Sequence, residues 1–90
     1  MTKELRHTSQ FKKDYKREKK THIDLDKLLM PVVKLLLEGK ALPKKLKDHP
    51  LSGNWKDHRD CHVKPDLVLI YNVSDYAVTV VRIGSHSELF

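Results

Sequence analysis

The chain is poor in everything that would tie it to a covalent, membrane or cofactor framework. Its 90 residues hold one cysteine, Cys61, so no internal disulfide can form; a stapled secreted scaffold is excluded and a reducing cytosol is the expected compartment. The longest uncharged apolar run, residues 28–33, is six residues long, against the roughly 20 that a spanning helix needs. No apolar signal core follows the opening Met-Thr-Lys-Glu, so neither a membrane span nor a secretory signal is expected. Only three glycines are present, and no glycine-rich phosphate loop can be drawn among them, which argues against nucleotide hydrolysis and dinucleotide redox chemistry. Ser85 beside His86 is chain adjacency without a nucleophile elbow. His58 and His62 flanking Asp60 would face the same way on a strand, but no histidine pair has zinc-finger spacing, and no cofactor or metal is expected. Repeats, low-complexity tracts and Gly/Ser linkers are missing too, so one domain spans residues 1–90.

What is abundant is positive charge, and it is uneven. The net charge is +6, yet residues 1–47 hold 14 Lys/Arg against 6 Asp/Glu, while residues 48–90 hold 4 against 6. A basic half beside a mildly acidic half suits a polyanion-binding surface flanking a site of different chemistry; a soluble, lysine-rich exterior is the plainer alternative.

Residues 3–7 read as a short first strand. Thr8 or Ser9 then caps a helix over residues 10–20, in which Phe11 and Tyr15 form a narrow stripe and Lys12, Lys13, Lys16, Arg17, Lys19 and Lys20 face outward. A second helix over residues 24–38 follows from Leu25, Leu28, Leu29, Val32, Leu35 and Leu36 at three-four spacing, with Asp24 as cap and Gly39 as stop. Pro31 predicts a kink or break near residue 30, or else a separate first turn. Residues 41–53 read as a long ordered loop anchored by Leu42, Leu46 and Leu51. Strands over residues 55–63, 67–73 and 77–83, joined by Lys64-Pro65-Asp66 and Ser74-Asp75, complete an α+β domain: strand, two helices, and a three-stranded antiparallel meander packed under the second helix.

Four of the six histidines, His49, His58, His62 and His86, fall in the second half. Asp60, His62 and Asp66 put carboxylate and imidazole on one strand and hairpin, with His86 after the last strand and His49 on the loop. Imidazole both takes and gives a proton near neutral pH, so the set suits RNA cleavage by its own 2′-OH, with Arg59 and Arg82 as phosphate cations. The same residues also fit an ordinary polar hairpin surface.

The run Lys47-Asp48-His49-Pro50-Leu51-x-Gly53-x-Trp55-Lys56-x-x-Arg59-Asp60-x-His62-Val63-x-Pro65-Asp66-x-x-Leu69-Ile70-Tyr71, followed by Arg82-x-Gly84-x-His86-x-x-Leu89-Phe90, closely resembles the YafQ branch of the RelE superfamily. The resemblance covers essentially the whole chain. It implies a RelE-like fold and a bacterial endoribonuclease toxin that cleaves mRNA in the ribosomal A site without metal, silenced by a co-encoded antitoxin, DinJ-like or another small protein. It implies catalytic roles for His49, His62, Asp66 and His86. His86 would be the general acid, His62 and Asp66 would handle the 2′-OH proton, and His49 would steady the phosphate. Asp60, Arg59, Arg82, Phe90, Lys12, Lys13, Lys16 and Arg17 would contact RNA or ribosome, Phe90 by stacking on a base, unless it serves only as a C-terminal core anchor. Trp55, Ile70 and Tyr71 are expected in the core. A non-catalytic RNA- or ribosome-binding module of the same fold is the alternative; a DNA-binding repressor would need a helix-turn-helix pattern that is missing.

Overall fold

In the computed structural model, which describes residues 2–90, each element boundary has a local cause. Strand β1 (Glu4–His7) ends at Thr8, whose extended backbone and hydroxyl, accepting from the Phe11 N–H at 2.9 Å, start helix α1 (Ser9–Thr21). The same hydroxyl donates to the Val81 carbonyl at 2.7 Å and so bolts the helix start onto the sheet. Phe11 and Tyr15 pack on the core as expected. Helix α2 (Leu25–Leu37) buries Leu25, Leu29, Val32 and Leu36, and ends in a Schellman motif: Gly39 at φ 72°, Gly39 N–H to Leu36 O at 3.1 Å, Lys40 N–H to Leu35 O at 2.9 Å.

Two expectations about α2 are corrected. The helix runs unbroken through Pro31, because Pro31 and Lys27, whose carbonyl loses its partner, are both exposed, leaving that carbonyl to solvent. Asp24 makes no side-chain cap; its carboxylate pairs with Lys64 at 3.3 Å instead.

Strands β2 (His49–Pro50), β3 (Arg59–Lys64), β4 (Leu67–Val73) and β5 (Ala77–Gly84) join β1 in one sheet of order β1-β5-β4-β3-β2, with β1 parallel to β5 and every other pair antiparallel. The chain closes with a single-turn helix, α3 (His86–Leu89). β2 and α3 add to the expected order, and β3 starts four residues later than read: Trp55 lies in a 3-10 turn, Gly53–Trp55, opened by Gly53 at φ 65°. The supposed loop over residues 41–53 therefore holds a 3-10 turn, Lys44–Leu46, and a strand, and the second 3-10 turn begins at its last residue.

Alternation then sorts the two faces. Cys61, Val63, Leu67, Leu69, Tyr71, Val78 and Val80 meet α2 in the main core. The opposite face carries Val68 and Ile70 under Leu89, Leu51 and Trp55, and it is there that Asp60 and His62 point. Burial pushes the Cys61 thiol up to about 12, so Cys61 is an inert packing residue.

Candidate active site

The sheet register is what gathers the polar residues. His49 pairs with Asp60, Asp60 with Ile70 and Ile70 with Arg82, one row across four strands. The neighbouring row runs His62, Val68, Gly84, and His86 follows two residues later. Directly opposed residues in such rows stand about 5 Å apart, so residues separated by as much as 37 positions in the chain share one patch.

Asp60 sits at its centre, 1% exposed. The His49 Nδ1 lies 2.6 Å from Asp60 Oδ1 and 3.0 Å from the Lys47 carbonyl. The ring N–H is aligned on the carbonyl, so the approach to Asp60 is an ion-pair contact, and Oδ1 has no aligned hydrogen-bond donor. Burial raises the Asp60 carboxyl above its ordinary value, with the nearby His49, His62 and His86 pulling the other way. Asp60 is thus a carboxylate shut off from solvent, in contact with His49 and within electrostatic reach of His62 and His86.

His62 Nδ1 lies 3.3 Å from the Pro65 carbonyl. With Nδ1 donating to a carbonyl in both His49 and His62, the free Nε2 of each is the atom left to meet a substrate. Asp66 is exposed in the β3–β4 turn, where the register shifts between His62 and Lys64. His86 opens α3 beneath a capping box in which Ser85 accepts from the Glu88 N–H at 3.3 Å and Glu88 accepts from the Ser85 N–H at 2.9 Å. Phe90, half exposed, stacks on it with ring centroids 4.9 Å apart.

The guanidinium groups have internal partners. Arg82 forks onto Asp14 at 2.8 and 3.1 Å, and Asp14, fully buried on α1, also accepts from Gln10, Arg17 and the Ile83 N–H. Burial opposes ionisation of Asp14, but these donors, Arg82 first, outweigh it and hold its carboxyl below the ordinary range. Arg59 forks onto Asp48 at 3.2 and 3.2 Å, and the Tyr71 hydroxyl donates to the same carboxylate, tying the residue before His49 to the core. Arg17 pairs with Asp14, Glu18 and Glu88. Lys12, Lys13 and Lys16 are exposed on α1 and pair with no carboxylate among the described residues.

Asp14, Asp48 and Glu88 escaped the sequence reading. Asp14 and Glu18 had left a signal: with Phe11 and Tyr15 they form a three-four stripe, so two acids lay on the face bound for burial. Lys45 and Lys47 were also missed; with Lys64 they flank His62 in a groove of about 410 Å³. A second groove of about 660 Å³, lined by Arg17, Lys64, Asp66 and Glu88, runs along the other side of the hairpin.

Residues 3–90 match the family model described as bacterial toxin of type II toxin-antitoxin system, YafQ. The mRNA interferase toxin YafQ of Escherichia coli (strain K12) is 40% identical over 88 residues, covering 98% of this chain and 96% of that one. YafQ in the crystal structure of the E. coli DinJ-YafQ toxin-antitoxin complex superposes with a TM-score of 0.88 at 38% identity, over 100% of this chain and 99% of that one. A metal-bound toxin from Helicobacter pylori gives 0.89 at 46% identity, with both chains covered fully. Here, among the described residues, no three His, Cys, Asp or Glu side chains are grouped to hold a metal ion.

Proposed function

This chain belongs to the YafQ family of bacterial type II toxins, and from that premise we propose that it is a cytoplasmic mRNA endoribonuclease acting on message in the ribosomal A site. The observation that carries the reading is the pair of sheet rows that align His49, Asp60 and His62 across the sheet with Arg82 and the Gly84–His86 corner.

His62, with Asp66 in the turn that follows its strand, takes the proton of the 2′-OH as that oxygen attacks the adjacent phosphorus. His86 gives a proton to the departing 5′ oxygen, so the products are a 2′,3′-cyclic phosphate and a 5′-OH. His49, oriented by Asp60, meets the phosphoryl oxygens, and Arg82, whose Nη1 makes none of its bonds to Asp14, adds positive charge nearby. Both proton transfers are supplied by side chains and need no metal. Phe90 supports the message by stacking on a base, a contact worth about 1–3 kcal/mol. Lys12, Lys13 and Lys16 face ribosomal RNA phosphates. A small acidic antitoxin is the proposed inhibitor, since an antitoxin, DinJ, accompanies YafQ in the E. coli complex and the strongly basic first half of this chain favours an acidic partner. No helix among the described residues is long and apolar enough to cross a membrane.

The test is single-turnover cleavage of A-site mRNA on programmed ribosomes. His86→Ala is expected to fold, bind ribosomes and lose about 10²–10⁴ in rate, with EDTA leaving the wild-type rate unchanged where ribosomes stay intact. Near-wild-type cleavage by folded His86→Ala would move the acid role to another histidine, and a wild-type protein that binds without cleaving would favour the non-catalytic module.

A further inference from the structure

We propose that Arg17 is a positioning residue for cleavage, fixing through Glu88 and the Ile83 carbonyl the single helical turn that carries His86 and Phe90; the inference rests on the assignment of His86 as the acid. A four-residue helix has no stability of its own, since its first turn costs more order than one hydrogen bond returns. Three things hold α3 in place: Leu89 packed on Val68 and Ile70, the Ser85–Glu88 capping box, and Arg17.

Arg17 is the one that reaches across elements. Its Nε lies 3.2 Å from Glu88 Oε2, on the carboxylate that closes the box, and its Nη2 donates to the Ile83 carbonyl at 3.3 Å. It is braced from its own helix by fully buried Asp14 at 3.1 Å and by Glu18 at 2.9 Å. Because the Nε–H is aligned on Glu18, the hold on Glu88 is an ion-pair contact; one rigid guanidinium thus joins α1, the end of β5 and α3, a task that a lysine's point charge performs poorly.

Gly84 completes the joint. A Cβ there would lie 3.0 Å from Arg17 Nη2 and 3.3 Å from Glu88 Oε1, so this glycine serves closeness of approach. The Arg17 and Glu88 side chains are 43% and 39% exposed, so their pairing contributes little to global stability. Its effect falls on where the His86 ring stands. Misplacement of a reacting group by about 1 Å can cost about 10²-fold in rate.

An RNA-phosphate role for Arg17 predicts something different, namely weaker ribosome binding and a smaller salt slope at an unchanged saturating rate. Cleavage is therefore measured with mRNA carrying oxygen or sulfur at the bridging 5′ position of the scissile phosphate, because a thiolate leaves without protonation. Arg17→Met and Gly84→Ala are expected to lower the saturating rate about 10- to 100-fold on the oxygen substrate, with half-saturation within about twofold of wild type. Glu88→Gln, which keeps the capping hydrogen bonds, should do so more weakly and add nothing to Arg17→Met. Arg17→Lys should recover part of the rate. On the sulfur substrate these deficits and that of His86→Ala should largely disappear. An Arg17→Met protein that cleaves at the wild-type rate, shows its deficit only in half-saturation, or stays slow on the sulfur substrate while His86→Ala is rescued, overturns the inference. Loss of the His86→Ala deficit itself would instead take down the acid assignment, and this inference with it.

Discussion

At the scale of single residues, two buried carboxylates behave oppositely for one physical reason. Asp14 and Asp60 are both shut off from water, which raises the cost of ionising either. Asp14 receives five N–H bonds, two of them from the Arg82 fork, and ends below its ordinary value. Asp60 has only an off-line contact with His49 and the more distant pull of His62 and His86, and ends above it. For Asp60 the sign runs against the usual carboxylate. Its raised native value means that the unfolded chain gives up this proton first, so the group penalises the fold above the unfolded value of about 3.9, and the penalty is relieved as pH falls. Asp60→Asn is therefore expected to melt higher than wild type at pH 7, with the advantage vanishing near pH 3, because His49 is 56% exposed at its side chain and keeps its hydration when the carboxylate goes. The same change should lower cleavage about tenfold by releasing the His49 ring. Thermal melts across that pH range, paired with single-turnover rates, check both halves. A variant less stable at pH 7 would mean that the His49 contact outweighs the cost of burial.

At the scale of elements, α2 tolerates what its sequence forbids. Proline inside a helix removes one hydrogen bond and crowds the preceding turn, at about 3 kcal/mol, yet residues 25–37 remain one helix because the damage lies on the outer side while Leu25, Leu29, Val32 and Leu36 stay seated on the sheet. Pro31→Ala should accordingly raise unfolding free energy by about 1–2 kcal/mol, less than the full proline cost because the unfolded chain regains freedom. Urea denaturation measures it, and a neutral or negative change would show that the turn around residue 31 gains nothing from the restored Lys27 bond. Helix α1 is the contrasting case: its packing stripe is half acidic, so it docks through Asp14 and Arg82 as much as through Phe11 and Tyr15.

At the scale of the whole molecule, charge is segregated. The three arginines nearest the candidate site are drawn into internal pairs, whereas Lys12, Lys13 and Lys16 remain outward-facing. On the proposed function, contact with ribosomal RNA phosphates is therefore assigned mainly to lysines. Ribosome affinity should drop steeply with salt, and replacing those three lysines by glutamine should shrink the slope of log K against log salt by about 2 to 3, at roughly 0.7–0.9 per lost phosphate contact. Titrations at several salt concentrations test this; an unchanged slope would take α1 off the ribosome.

The sequence by itself determined the order of strand, two helices and meander, because three-four spacing and alternation each persist there over many residues, and it marked His49, His62, Asp66 and His86 as the groups with acid–base chemistry to offer. It also carried the whole-chain pattern that reveals the family. Only the tertiary structure decided the rest. β2 is two residues and α3 four, too short to hold any period, so one appeared only as a partner of β3 and the other only as a turn seated on Val68 and Ile70. The roles of Asp14, Asp48, Asp60, Arg17 and Arg82 depended on who meets whom. Arg82 and Asp14 are 68 residues apart, and nothing local to either says whether a guanidinium will face a buried carboxylate or a phosphate until β5 is laid against α1.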